Sequence, residues 1–261
     1  MLRSLFIAFS MYSRLPVPHT EWHETDMRYA LCFFPFVGLV IAALLYGWLW
    51  LCENYAALWG AGELLRTVPL LLVPIIVSGA IHLDGFMDTS DALCSFRPLE
   101  KRLDILKDPH IGAFAVISLL VYCGLYLAAA SVIRFELCAS WCASFVLSRI
   151  LSGISVISFP CARQNGSLYA FAKGAAKRRV FVVLCAECII CVACMLFISL
   201  AGGCCLVLLA MLVFLYYRYM SVKQFGGITG DLAGWFVCVC ELVLTMAQAL
   251  VCILPVCLAG N

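Results

Sequence analysis

A chain of 261 residues that is 65% hydrophobic and 12% charged, with a mean hydropathy of +1.04, has too few polar residues to cover a water-soluble fold. Soluble domains carry about 25% charged residues, because surface scaling demands them. The net charge of +2 leaves no electrostatic footprint for nucleic acid. What remains is an all-α, polytopic membrane helix bundle, read as one domain over residues 1–261.

The N-terminal stretch MLRSLFIAFSMYSRLP has the early Arg and short apolar run of a signal peptide, but Arg14 interrupts it and no A-x-A cleavage site follows. Leu2, Leu5, Phe6 and Phe9 fall at helical spacing, which predicts a retained interfacial helix. Apolar runs able to cross a hydrocarbon core of ~30 Å follow at about 31–51, 67–83, 112–133, 137–158, 180–200, 203–220 and 232–258. Pro69 and Pro74 predict a kink or tilt in the second. Arg149 and Glu187 are the ionisable residues within spans, without the paired broken helices of an inverted-repeat transporter. Cys185, Cys188, Cys191 and Cys194 are spaced somewhat like iron–sulfur ligands, yet they form a stripe in a long apolar run. Periodic apolar stripes usually mean packing, and free cysteine behaves as a small hydrophobe.

Charge sets the expected orientation. With the N-terminus inside, the inner segments carry Arg3, Arg14 and Arg28, then Arg97, Lys101, Arg102 and Lys107, then Arg163, Lys173, Lys177, Arg178 and Arg179, then Arg218 and Lys223. The outer loops hold only Arg66 and Arg134, as the positive-inside rule requires. All four histidines and every aspartate fall on the inner side, so the chemistry is expected to face the cytoplasm.

The stretch IHLDGFMDTSDAL, residues 81–93, carries Asp84, Asp88 and Asp91 right after an apolar segment. At ~100° per residue these lie within about 60° of one another on a helix, whereas His82 points ~160° away from Asp84. Like charges at i, i+4 and i+7 destabilise a helix unless something positive sits among them. Carboxylate oxygens are hard ligands suited to Mg²⁺ or Mn²⁺. A second acidic set, Glu100, Asp104 and Asp108, is interleaved with Lys101, Arg102 and Lys107 and fits an exposed helix laced with ion pairs, although Asp108 leads into Pro-His-Ile-Gly at the next span. GGITGD, residues 226–231, precedes the last span and offers backbone N–H groups to an anion. Carboxylates for a metal, cations and an N–H nest on one side describe phosphoryl or phosphodiester transfer at the membrane surface.

HLDGFMDTSDAL, LDILKDPHIGAF and GGITGD, in that order, resemble the cobalamin synthase family, as do SRLPVP at 13–18, FPFVG at 34–38 and ARxxG at 162–166. The resemblance spans essentially the whole chain. It implies an Mg²⁺-dependent transferase that joins adenosylcobinamide-GDP to α-ribazole or its 5′-phosphate and releases GMP. By the same resemblance Asp84, Asp88, Asp91 and Asp108 are candidate metal ligands, and Asp231, His82 and Asp108 candidate catalytic groups. Arg14, Lys107, His110, Arg163, Gly226, Gly227, Thr229 and Gly230 are candidate substrate contacts, and Arg149, by its place within a span, meets either an internal partner or a substrate phosphate. Ala92 stands where the family usually has Gly, His110 replaces an Arg, Cys238 a Glu, and Leu168 a Gly. A CDP-alcohol phosphotransferase would carry a DGxxAR string that is missing here. A non-enzymatic carrier or scaffold would not need GGITGD beside the acids. The expected partners are the two substrates and membrane lipid; self-association, or association with other corrinoid-pathway enzymes, is left open. Reporters fused near Lys177 or Lys223 should read cytoplasmic and one near Ala61 periplasmic; a periplasmic signal at Lys223 overturns this orientation.

Overall fold

The computed structural model describes residues 2–18, 23–55, 63–164 and 167–259; Ala61, His19 and Gly166 of ARxxG lie outside them. The helices are α1 (Leu2–Tyr12), α2 (Glu24–Met27), α3 (Phe34–Asn54, preceded by the 3-10 turn Ala30–Phe33), α4 (Glu63–Val77), α5 (Ile81–Cys94), α6 (Leu99–Ile105), α7 (Ala113–Ser131), α8 (Cys138–Ser158), α9 (Ser167–Gly174), α10 (Lys177–Ile198), α11 (Leu200–Phe225) and α12 (Gly230–Ala259). Among the described residues six stretches are long and apolar enough to cross a membrane, and α4 with α5 makes a seventh if that bent pair counts as one span.

The bend differs from the sequence expectation. Pro69 and Pro74 lie inside a continuous α4, and the chain turns instead at Gly79 and Ala80, both at φ 63°, so that α4 and α5 meet at 92°. Proline removes one helical hydrogen bond but keeps a helical φ, whereas a left-handed residue ends the helix. The Arg14 backbone N–H donates to Val77 O (2.8 Å), and its side chain lies against Gly79, where a Cβ would collide with it. The N-terminal helix forms over Leu2–Tyr12, with Ser4, Ile7 and Ala8 as its buried face and Leu2 exposed.

Helix α8 is the centre of the bundle, packed against α3, α10, α11 and α12. Its serines at 140, 144, 148, 152 and 155 are buried, and several satisfy their hydroxyls on the helix's own carbonyls, such as Ser144 to Trp141 O (2.6 Å) and Ser155 to Ser152 O (2.7 Å). Small residues let helices approach closely where lipid supplies no hydrophobic drive. Cys185, Cys188, Cys191 and Cys194 sit on the continuous α10, with Cys191 buried and its thiol facing Ala143 O (3.6 Å).

Loops gather at two ends. At one, Arg102 donates to Gln224, Arg163 to Leu103 O and Ala176 N–H to Arg28 O, so the basic segments converge there. At the other, Arg66 bonds the carbonyls of Ser131 and Ile133, and Gln248 that of Leu137 (2.8 Å).

Between the ends, Arg149 on α8 forms an ion pair with Glu241 on α12, both almost fully buried, with Ser148 bridging them. Of the two roles the sequence allows Arg149, an internal partner or a substrate phosphate, the structure shows an internal partner, Glu241. Removing one member of a buried pair leaves an uncompensated charge, at a cost of ~3–5 kcal/mol. Glu241→Leu should therefore lower stability by about that amount, and Arg149→Met added to it should recover most of the loss. Unfolding in mixed micelles checks both.

Candidate active site

Helices α5 and α12 cross with their backbones almost touching. A Cβ added at Gly85 would lie 2.7 Å from Asp231 O, and one at Gly234 would lie 3.0 Å from His82 O and 3.5 Å from the Gly85 Cα. Two facing glycines permit this approach, as small residues do at membrane helix crossings. The crossing brings Asp231 to the acidic face of α5. The carboxylates of Asp84, Asp91 and Asp231 all act electrostatically on Asp88, and Asp84 on Asp231. Asp84 is exposed and the other three are half-buried. Asp91 is aimed at the start of α7, where a Cβ on Gly112 would fall onto both of its carboxylate oxygens. The partial positive charge of a helix N-terminus favours a carboxylate at that place.

The GGITGD loop works differently from the sequence expectation. Gly226 (φ 75°) ends α11 in the left-handed conformation, with its N–H donating to Val222 O (3.1 Å) and that of Gly227 to Ser221 O (3.1 Å). Ile228 pairs with the segment after α8 through Ile228 N–H to Pro160 O (2.8 Å) and Ala162 N–H to Ile228 O (3.0 Å). The amides of Gly226 and Gly227 are thus engaged within the chain, and the anion cradle read over the whole motif contracts to Thr229–Asp231. Thr229 Oγ1 accepts the N–H of Leu232 (3.2 Å), so Thr229, not Asp231, caps α12. Thr229 in turn donates to Asp231 Oδ2 (3.3 Å). The Asp231 carboxylate, held by Thr229 and by its own backbone N–H, is not the group that caps Leu232.

That carboxylate borders a cavity of about 180 Å³, lined also by Lys107, Arg163, Tyr169, Thr229 and Gly230. Gly230 has open space where a Cβ would be. Arg163 donates to Leu103 O and acts electrostatically on Asp231. Four of the candidate substrate contacts, Lys107, Arg163, Thr229 and Gly230, therefore meet around one catalytic candidate. Leu168, noted in the sequence only as a departure from Gly, and Tyr169 and Cys161, which sequence reasoning passed over, complete the wall because the Ile228 bridge draws residues 160–162 to α12. Only the Pro160 that ends α8 signalled that turn.

Other candidates fall elsewhere. His82 is buried on the far side of α5, beside Phe34 (ring centroids 5.7 Å), and shares with Arg149, Glu241, Tyr122 and Cys238 a void of about 10 Å³. Its helical phase turns it from the aspartates, so it is not assembled with Asp231. Asp108 lies beyond α6, exposed, and accepts from His110 N–H (3.0 Å) and Nδ1 (2.7 Å). Those two bonds hold its carboxyl below the usual carboxylate range and occupy His110 as well. Asp108 thus drops out of the carboxylate group, and His110 out of the cavity. Arg14 stays exposed at the Gly79 bend. Ala92 is fully buried within α5, which continues through Cys94.

Among the described residues no three His, Cys, Asp or Glu side chains converge as a ready cage for a metal ion. The donor chemistry still fits Mg²⁺, which is usually held by one or two carboxylates together with substrate phosphates. Asp84 and Asp88 are the accessible pair, and their mutual repulsion is what a cation would relieve.

One end of this helical membrane bundle thus presents clustered carboxylates, two cations and a capped helix start. Residues 4–249 match the model of the family described as Cobalamin-5-phosphate synthase, and the chain belongs to that family. It is 43% identical over 246 residues to the adenosylcobinamide-GDP ribazoletransferase of Lachnoclostridium phytofermentans, covering 94% of this chain and 93% of that one. Proteins of the same name from Clostridium perfringens (30% over 242 residues; 92% and 94% covered) and Pseudomonas putida (31% over 258; 94% and 97%) are also similar. No solved structure matches the chain.

Gly112→Ala should displace the Asp91 carboxylate and lower transfer at least tenfold, the scale on which small misplacements act. Gly124→Ala, at a position with nothing within 4 Å of a Cβ, should leave it unchanged. Equal rates for the two variants would show that the Asp91 position does not matter.

Proposed function

We propose that this protein joins adenosylcobinamide-GDP to α-ribazole or its 5′-phosphate, releasing GMP, with Mg²⁺, at the cytoplasmic face of the bacterial inner membrane. The names of the relatives supply the substrates. The observation that carries the reading is the position of Asp231, which is shared by the acidic face of α5 and by the cavity holding Lys107 and Arg163.

The reaction is an in-line displacement at the phosphorus that bears the cobinamide. The ribazole hydroxyl oxygen bonds to that phosphorus, the bond to the GMP oxygen breaks, and the hydroxyl proton passes to a base. Asp231 suits that role because Thr229 already caps the helix and orients the carboxylate through its hydroxyl. Lys107 and Arg163 would neutralise phosphate oxygens in the cavity, with the Gly230 amide available beside them. Asp84 and Asp88 would hold Mg²⁺, which when bound neutralises charge on the bridging phosphate oxygens. The wall of Leu106, Leu168 and Tyr169 gives the base of the ribazole an apolar surface and limits water.

The test is GMP release by purified protein given both substrates and Mg²⁺. Asp84→Asn should abolish it, and Asp231→Ser should lower the rate 10²–10⁴-fold, the usual loss for a general base. Expression should hold in both, since capping belongs to Thr229. Turnover of Asp231→Ser within a few-fold of the parent would remove Asp231 from the mechanism. Absence of GMP release by the parent protein would favour a carrier.

A further inference from the structure

A second set of features lies on the opposite flank of α8, away from the carboxylates. A groove of about 460 Å³ runs between α3, α8 and α10, walled by Pro35, Leu39, Ala42, Tyr46, Ala143 and Cys191. It adjoins a further space of about 670 Å³ bounded by Tyr29, Phe33, Val183, Arg178 and Arg179. Phe36 and Glu187 line both, so the two form one channel with an apolar arm and a basic mouth.

Two observations separate this channel from an ordinary lipid-facing crease. Among the described residues no carboxylate pairs with Arg178 or Arg179, and Arg179 donates to Tyr29 OH (2.9 Å) at the rim. Two adjacent unneutralised guanidiniums there call for an anion. The second is Glu187 Oε2, which is sealed from solvent with no hydrogen-bond partner. An ionisable group at membrane depth normally faces a partner or a binding site. Along α10 it stands eight and nine residues from the arginines, a rise of ~12–13 Å. The required ligand therefore has an anionic head, a polar segment below it and an apolar tail.

We propose that this channel binds one anionic glycerophospholipid, with its phosphate on Arg178 and Arg179, its glycerol ester oxygens accepting from the protonated carboxyl of Glu187 and an acyl chain in the apolar arm. The site is independent of the transfer reaction, since none of its residues touches the carboxylate cluster or the cavity at Asp231. Basic residues beside a span attract anionic headgroups, and a pocket between helices turns that attraction into a defined site.

The probes are phosphatidylglycerol and phosphatidylcholine of matched chain length, offered in equal amounts in nanodiscs to the full-length protein. Native mass spectrometry after release into mild detergent reads the retained lipid. The parent should keep one phosphatidylglycerol in preference to phosphatidylcholine. Arg178→Ala with Arg179→Ala should cut that preference by roughly tenfold or more, given what each basic residue contributes near a charged surface. Cys194→Trp, which fills the far end of the apolar arm, should expel the lipid while leaving both arginines in place. Lys101→Ala, an exposed residue paired with Asp104, should change nothing. Equal retention of the two lipids by the parent overturns the proposal, as does undiminished phosphatidylglycerol in the double variant. A lipid-free mass of two chains would assign the channel to a second copy and equally overturn it.

Discussion

Everything at the site depends on how closely α5 can approach α12. Gly85 lies 3.5 Å from where a Cβ on Gly234 would be, and a Cβ on Gly85 itself would lie 2.7 Å from Asp231 O. Nothing larger than hydrogen fits between the two backbones. Without this contact Asp231 would be a carboxylate at a helix start and Asp84, Asp88 and Asp91 an acidic stripe on another helix. With it, one end of the bundle holds four carboxylates within electrostatic reach. The left-handed Gly79 and Ala80 make the crossing reachable, since they turn α5 by 92° out of the direction of α4.

The two sides of α5 handle charge in opposite ways. On the His82 side, Arg149 and Glu241 neutralise each other in a void of about 10 Å³, roughly enough for one water. Charge withdrawn from solvent there must be paired, and the pair fixes α8 against α12. On the aspartate side the charge is left unbalanced and accessible, which costs stability and gains a place for cations and phosphate. Arg149 and Asp84 thus have different work although both are ionisable groups near apolar helices.

Much of this was legible in the chain. Composition dictated a helical membrane bundle, because 65% hydrophobic residues have no other solvent to face. Span positions followed from apolar run lengths, and the shared face of Asp84, Asp88 and Asp91, with His82 turned away, followed from ~100° per residue. Each is a local property, set by residues within a turn or two of one another.

What stayed hidden depends on contacts distant in sequence. Glu241 as the partner of Arg149 and the Ile228 bridge that shapes the cavity involve choices among several chemically suitable residues. GGITGD looked like a phosphate cradle throughout, yet its first two amides close the end of α11 in a left-handed cap, and the bridge from Ile228 to residues 160–162 sets where the rest of the loop runs. The family resemblance made Asp108 a candidate ligand, yet α6 ends at Ile105 and the chain turns it toward His110. The sequence by itself determined which residues could carry the chemistry and on which helical face each lies. The tertiary structure alone decided which of them meet, because that depends on where glycines allow two backbones to touch.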